Sequence, residues 1–234
     1  LLMNALKKIK FYKMNEKSFF RVFTDKNLLR NIAVYNCPYS NIKCAEKGLW
    51  EILMRRIKPN SKIDSKIFNI AAGKGNISFL YFLNKNNVQG WTTDAMDMAA
   101  MNGHLEVVKF LHFNRTEGCT TDAMNRAAQE GYLEVIKFLH FNRKEGCTTK
   151  AMDRASMNGH LEVVKWLYKN RTEGCTIWAM YWAAENGHLE VVKWFHENRT
   201  EGGCTAYAMN IAAGNGHLKV VEWLHKNRKE GCTT

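Results

Sequence analysis

The sequence lacks any long apolar segment. No apolar run approaches the roughly 20 residues that a membrane-spanning helix requires. The N-terminal stretch LLMNALKKIKFYKMNEK is interrupted by lysine too often to form the apolar centre of a signal peptide. We therefore expect an intracellular protein, cytoplasmic or nuclear, that is neither secreted nor transmembrane.

Motifs that carry chemistry are also missing. No Ser-His-Asp set, glycine-rich phosphate loop or carboxylate pair stands apart from the repeating pattern described below. Cys37 and Cys44 have no CxxC partner, which argues against a zinc site. We expect a non-enzymatic protein without a cofactor, structural metal or small-molecule substrate.

Positive charge is concentrated in the N-terminal quarter of the chain. Residues 1–62 hold 14 Lys and Arg against 4 Asp and Glu, whereas residues 63–234 hold 20 against 18. The second segment is therefore nearly neutral, and its net charge does not favour binding to phosphate groups. If the protein binds nucleic acid or an anionic membrane, residues 1–62 are the part that would do so.

Repetition at a period of 28 residues dominates the rest of the sequence. A glycine recurs at 75, 103, 131, 159, 187 and 216, and a cysteine recurs at 119, 147, 175, 204 and 232. The one irregular interval comes from an extra glycine in EGGC (201–204). The units are 63–90 (degenerate), 91–118, 119–146, 147–174, 175–203 and 204–231, with the start of another at 232.

Each unit predicts two helices. In TTDAMDMAAMNG (92–103), Thr is suited to cap a helix, Gly to end it, and the Ala and Met positions form one narrow face of small residues. In HLEVVKFLHFNR (104–115), the apolar residues fall on one side of a second helix. Since neither helix can bury its apolar face alone, we expect stacked units with one continuous core.

The units resemble those of the ankyrin repeat family. AAMNGHLEVVKFL (99–111), AAENGHLEVVKWF (183–195) and AAGNGHLKVVEWL (212–224) match the helix–turn–helix core of that family, over residues 63–234. The usual repeat has 33 residues and opens T-P-L-H, whereas this one has 28 and opens Thr-Thr-x-Ala-Met. The resemblance implies an all-α solenoid with shortened or absent β-hairpin fingers. The short unit is similar to those in ankyrin arrays of large DNA viruses and some protists, so a host-cell compartment of such a virus is one expected location.

The N-terminal segment is expected to cap this array. Residues 1–62 are predicted to form a basic helical cap, and GLWEILMRR parallels GHLEVVKFL well enough to indicate a degenerate repeat at 41–58. The array stops three residues into its last unit, so we expect further repeats beyond Thr234 in the natural chain.

Several residue types recur at one position of each unit, which indicates a role in packing the repeats and not in catalysis or ligand binding. The cysteines are expected to be small buried residues, too far apart for disulfides. The rings at 110, 138, 166, 194 and 223 are expected to stack as a spine. The arginines at 115, 143, 171, 199 and 228 are expected to form a solvated edge. Histidine at the start of the second helix, as at His104, is expected to link neighbouring turns by hydrogen bonds.

Positions that vary between units are the better candidates for specificity. On the first helix these are 94, 97, 98 and 101 and their equivalents, which form one stripe opposite the Ala and Met face. In the unit 175–203 the first three positions of this stripe are the aromatic residues Trp178, Tyr181 and Trp182. We predict partner-binding residues at Trp178, Tyr181, Trp182, Tyr207, Ile211, Arg154, Lys150, Arg126 and Asp122. Two alternatives remain open, namely rings that only pack between units, or rings covered by a C-terminal continuation of the chain.

The resemblance implies a protein–protein interaction module that binds along its inner-helix, concave face. The alternative is an adaptor, in which the basic cap engages a ubiquitin-ligase component, nucleic acid or an anionic membrane while the repeats select a target.

Overall fold

The structure is a computed structural model that describes residues 37–198 and 205–227. The chain divides into two compact units, Leu1–Lys58 and Pro59–Thr234. The expected cap therefore lies mostly outside the described residues, as do Arg199, Cys204, Arg228 and Cys232.

The described part of the first unit is a short helix–turn–helix. Helix α1 spans Asn41–Glu46 and α2 spans Trp50–Arg56. The Ser40 hydroxyl accepts the Lys43 amide at 3.2 Å and so caps α1. The two helices lie within the segment 41–58, whose assignment as a degenerate repeat stays a prediction.

The second unit contains helix pairs in every repeat. The pairs are α3 (Ser65–Gly73) with α4 (Ile77–Lys85), α5 (Asp94–Met101) with α6 (Leu105–Asn114), α7 (Thr121–Gln129) with α8 (Leu133–Asn142), α9 (Thr149–Met157) with α10 (Leu161–Asn170), α11 (Trp178–Glu185) with α12 (Leu189–Asn198), and α13 (Thr205–Gly214) with α14 (Leu218–Asn227). Each first helix packs against the first helix of the next repeat, and the second helices form a parallel layer.

Small residues let the first helices approach each other closely. Ala95, Met96, Ala99 and Ala100 are buried in α5, and their equivalents are buried in α7 and α11. Threonine caps α7 and α9 as the sequence predicts, since the Thr120 hydroxyl accepts the Asp122 amide at 3.1 Å and the Thr148 hydroxyl accepts the Lys150 amide at 3.3 Å, whereas the Thr93 side chain makes no capping hydrogen bond in α5. The first helices therefore form a dense layer, and their opposite side is left for other residues.

The second helices bury Val and Leu, and their large rings bridge neighbouring repeats. Val107, Val108 and Leu111 are buried in α6. The large ring of one repeat packs edge-to-face against a His or Tyr ring of the preceding repeat. His140 and Trp166, for example, have ring centroids 5.1 Å apart and an interplanar angle of 89°. The same arrangement joins Tyr168 to Trp194 at 5.0 Å. The prediction that the large rings stack on one another was therefore wrong in the described repeats, because a His or Tyr ring lies between successive large rings and meets the next one edge-on.

A glycine turn joins the two helices of each repeat. Gly131 has φ of 80°, and a Cβ atom there would lie 2.7 Å from Nδ1 of His160 in the next repeat. This position therefore needs glycine for two reasons, its backbone conformation and the ring above it. The histidine also links repeats as expected, because His104 Nε2 donates to the Gly73 carbonyl at 3.0 Å.

The loops between described repeats contain no β-hairpin. Residues 115–120 and 143–148 each cross to the next first helix in six residues without a strand. Across the described residues, one isolated β-bridge occurs, between Lys62 and Gln89. The fold is the helical solenoid that the sequence predicts, with fingers reduced to short loops.

Candidate binding surface

The aromatic cluster, Trp178, Tyr181 and Trp182, lies on helix α11. The Thr176 hydroxyl accepts the Trp178 amide at 3.1 Å, which fixes where this helix begins. Because the Ala and Met positions of α11 are buried in the repeat stack, residues at i, i+3 and i+4 point to another side of the helix. These three rings contact one another, and their role as partner-binding residues stays a prediction.

The rings of this cluster pack on one another. Trp178 and Trp182 stack with centroids 5.6 Å apart and an interplanar angle of 23°. Tyr181 meets Trp178 edge-on at 5.3 Å and 87°. Trp178 remains 46% exposed, while Tyr181 and Trp182 are half-buried. The cluster is therefore a braced, partly exposed apolar surface within one helix.

The next first helix extends this surface. Helix α13 packs against α11 and carries Tyr207, whose side chain is 66% exposed, and Ile211, which is half-buried. Neighbouring helices lie roughly 8–10 Å apart. The predicted aromatic and apolar residues of two repeats therefore lie in adjacent rows.

The preceding first helices carry charged groups instead. On α7, Arg126 pairs with Asp122 at 3.4 Å, and both side chains are about two-fifths exposed. On α9, Lys150 is exposed and Arg154 is half-buried. The solvent-facing side of the first helices therefore carries charged residues on α7 and α9 and aromatic residues on α11.

One of the four predicted variable positions is a structural joint and not a free surface position. Asp97, Asn125 and Asp153 are only 8%, 1% and 5% exposed. Asp153 accepts both the amide and the hydroxyl of Thr176 in the next repeat, each at 2.8 Å. Asn125 accepts the same groups of Thr148 at 2.9 and 3.4 Å. The prediction that this position belongs to the exposed stripe was wrong, because a buried polar atom must be hydrogen-bonded and the threonine supplies the donors.

A signal for this joint was present in the sequence. The position is restricted to Asp or Asn in three successive units, and a Thr follows each of them 23 residues later. Tyr181 occupies the equivalent position in 175–203, where the carboxylate or amide acceptor is replaced by a phenol. This replacement coincides with the unit that carries the extra glycine.

The prediction that the recurring arginines form a solvated edge was also wrong. Arg143 is about one-fifth exposed and forms an ion pair with Glu145. A Cβ atom on Gly118 of the preceding repeat would overlap the Arg143 guanidinium, and Glu145 accepts the Cys119 amide at 3.4 Å. Arg115 and Arg171 pair with Glu117 and Glu173 in the same way. The expected solvated edge is instead a partly buried contact between loops.

The recurring cysteines within the described residues are buried or half-buried, as expected of residues that pack between repeats. Cys119 and Cys147 are buried, and Cys175 is half-buried. Burial, with the nearby Glu145 and Asp97 charges, raises the pKa of Cys119 to about 12.

Within residues 37–198 and 205–227, no group of three or more His, Cys, Asp or Glu side chains is arranged to hold a metal ion. In the same ranges, no helix has both the length and the apolar character needed to cross a membrane.

Comparisons with known proteins agree with the repeat architecture. A family profile described as "Ankyrin repeats (3 copies)" matches residues 96–180 and 152–234. Among solved structures, the human ASB11 ankyrin repeat domain superposes with a TM-score of 0.60 at 15% identity, over 83% of this chain and 100% of that chain. At that identity, the likeness concerns the fold alone. A search of curated proteins gives no match.

Proposed function

The chain belongs to the ankyrin repeat family, and from this premise we propose that it binds a partner protein along the inner-helix, concave face formed by its first helices, anchored by the aromatic cluster of α11. Ankyrin repeats generally mediate protein–protein interaction and are typically non-enzymatic. The observation that carries the proposal is the braced pair of Trp178 and Trp182, set at positions that carry charge in the two preceding units.

The packing of this cluster favours binding. Trp and Tyr are the side chains most enriched at binding hot spots, because they bring a large apolar area with few rotatable bonds. Stacking between Trp178 and Trp182 restricts both side chains before a partner arrives. Less conformational entropy is then lost on binding, which raises affinity for a given contact area.

The surroundings of the cluster indicate the chemistry of its partner. Lys150 and Arg154 lie on α9, the first helix packed beside α11. A partner that fills the aromatic surface with apolar side chains would therefore place its flanking residues near two positive charges. We infer a partner segment with an apolar anchor and neighbouring acidic groups.

The short loops support access to this face. Residues 115–120 and 143–148 contain no hairpin that projects beyond the helices. A partner can then reach the side chains of the first helices without passing a hairpin.

The test is quantitative affinity capture with Trp178→Ala/Trp182→Ala. If both rings anchor a partner, the double substitution costs about 2 kcal/mol or more, which is roughly a 30-fold loss of affinity. The matched control is Phe113→Ala/Phe141→Ala, which removes two rings that are 72% and 73% exposed on second helices. The control should retain every partner that the wild type captures.

Equal recovery by the tryptophan variant and the wild type, with unchanged circular dichroism, would refute the assignment of the surface. A loss in both variants would show that binding is not specific to the first-helix face, because exposed rings on the second helices would matter equally. Partner segments with acidic flanks replaced by lysine provide the test of the charge inference, because they should bind more weakly than the unchanged segments.

A second candidate function rests on the charge difference between segments. Residues 1–62 carry 14 basic against 4 acidic side chains, so an adaptor that also engages a ubiquitin-ligase component, nucleic acid or an anionic membrane is the alternative. Deleting residues 1–62 and measuring salt-dependent binding to RNA, DNA and anionic vesicles tests the last two. Binding that is unchanged by the deletion would rule out the basic-segment version.

A further inference from the structure

Two thiols in the first compact unit lie next to each other. Cys37 and Cys44 are free, and their sulfur atoms are 3.6 Å apart. Cys37 precedes α1 and is half-buried, whereas Cys44 lies within α1 and is fully buried. A disulfide bond is about 2.0 Å long, so the two sulfurs, 3.6 Å apart, must approach by about 1.6 Å to bond. The cysteines of successive repeats, by contrast, belong to helix pairs roughly 8–10 Å apart.

Arg56 holds the two thiols in this arrangement. Its Nη2 donates to the Cys37 carbonyl and its Nη1 donates to the Tyr39 carbonyl, both at 2.8 Å. Nη1 also lies 3.7 Å from the Cys44 sulfur. The guanidinium group therefore fixes the loop that carries Cys37 against α1, and it places a positive charge beside both sulfurs. A nearby cation stabilises a thiolate, which is the reactive form of cysteine.

The two thiols differ in their protonation. Burial acts to raise the pKa of Cys37, but hydrogen bonds with the Tyr39 backbone and Cys44, together with Arg56, outweigh it and lower this pKa below its usual value. Burial raises the pKa of Cys44, and the hydrogen bond to Cys37 raises it further. Cys37 is thus the nucleophile and Cys44 the buried thiol that can react second.

We propose that Cys37 and Cys44 form a site of oxidative modification that converts hydrogen peroxide to water and becomes an intramolecular disulfide. The Cys37 thiolate attacks one peroxide oxygen, the O–O bond breaks, and hydroxide leaves as the sulfenic acid forms. Cys44 then attacks the Cys37 sulfur, the S–O bond breaks, and its thiol proton leaves with the hydroxyl group as water. The two sulfurs supply the two electrons, and the proton that Cys37 released earlier neutralises the hydroxide.

The product would tie the loop at Cys37 covalently to α1. The site lies in a different compact unit from the aromatic cluster, so this inference does not depend on the proposed partner binding. Dithiothreitol reverses the modification by thiol–disulfide exchange.

The experiment treats the full chain with one equivalent of hydrogen peroxide at pH 7, followed by alkylation, intact mass measurement and peptide mapping. The expected product is a monomer lighter by two hydrogen atoms, with Cys37 and Cys44 joined. Before oxidation, Cys37 should be alkylated about 10-fold faster than Cys175, which is half-buried as well. Cys119→Ser should form the disulfide as the wild type does.

Variants separate the two roles. Cys44→Ser should accumulate a sulfenic acid on Cys37 that dimedone traps, and Cys37→Ser should form no internal disulfide. If Cys44→Ser fails to fold by circular dichroism, the alkylation rates of the wild type still decide the matter. The proposal is overturned if Cys37 reacts no faster than Cys175, or if peroxide oxidises Cys175 while both Cys37 and Cys44 remain free thiols.

Discussion

Asp153→Ala tests the joint between the repeats 147–174 and 175–203. The Asp153 carboxylate is 5% exposed and accepts the Thr176 amide and hydroxyl, each at 2.8 Å. Alanine removes both of the acceptor oxygens that Asp153 offers to Thr176. Asparagine keeps one acceptor oxygen in the same place, as Asn125 does for Thr148 in the preceding joint.

The expected cost follows from these contacts. A hydrogen bond to a charged group contributes about 1.5–3 kcal/mol, and an unsatisfied buried donor adds a similar penalty. Thr176 is half-buried, so water can replace part of what is lost. We expect Asp153→Ala to lower the free energy of unfolding by about 3 kcal/mol, and Asp153→Asn to lower it by about 1 kcal/mol or less.

Urea unfolding measures the total loss, and hydrogen exchange read by mass spectrometry locates it. In a stack of repeats each unit contacts only its neighbours, so amide protection should fall first in 175–203 and less in 91–118. Glu162→Gln is the control, because this carboxylate lies in the same repeat but is about three-quarters exposed in a surface pair with Lys165. Its expected effect is below about 0.5 kcal/mol.

Two results would refute the reasoning. If Asp153→Asn destabilises the protein as much as Asp153→Ala, the acceptor oxygen is not the cause of the joint's stability. If amide protection falls equally in 91–118 and 175–203, the contact does not act locally between two repeats.

Three further predictions follow from burial, charge and backbone conformation. Burial, together with the nearby charges of Asp122 and Asp94, raises the pKa of Asp97, so stability should fall as pH rises from near 4. The corresponding neighbours of Asp153 are Lys150 and Trp178, so Asp97→Asn, unlike Asp153→Asn, relieves a like-charge contact and should raise the melting temperature at pH 7. Burial acts to raise the pKa of Glu145, but its hydrogen bond with Arg143 and contacts to backbone amides lower it to about 2. Glu145→Gln should therefore remove about 2 kcal/mol of stability at pH 7, a contribution that the wild type loses between pH 4.5 and about 2 in pH-dependent melts. Gly131→Ala should destabilise the protein in thermal melts by more than the roughly 1–2 kcal/mol that a left-handed conformation alone costs an alanine, because a Cβ atom there would also lie 2.7 Å from Nδ1 of His160.

Each of these predictions has a result that would contradict it. A lower melting temperature for Asp97→Asn at pH 7 would show that its negative charge stabilises the joint. A pH profile for Glu145→Gln that parallels the wild type between pH 4.5 and 2 would remove this carboxylate from the acid response. A cost of Gly131→Ala no greater than roughly 1–2 kcal/mol would mean that the backbone conformation alone requires glycine there.

The repeat itself could be predicted from the sequence because its causes are local. Threonine caps, alanine faces and glycine turns act within one unit, so their spacing predicts the bounds of the first helices. Burial of Ala95 and Met96 follows from the same periodicity. The candidate surface could be predicted only in part, since Trp178 and Trp182 meet on the expected side, while the position of Asp97 was assigned to solvent in error.

The cause of that error is the distance along the chain between the partners. Asp97 is 23 residues from Thr120, and hydrophobic periodicity cannot tell a polar residue that faces solvent from one that meets a donor in the next unit. Arg143 was misassigned for the same reason, because its burial depends on Gly118 in the preceding repeat.

The sequence by itself determined the 28-residue period, the helix pairs and the site of the aromatic substitution. The tertiary structure alone decided which polar groups join the repeats, how the rings of α11 brace each other, and that Cys37 and Cys44 meet beside Arg56. Local patterns specify helices because their hydrogen bonds and caps are formed within a few residues. Contacts between units depend on the register of one helix pair against the next, and that register is set by packing across the whole stack.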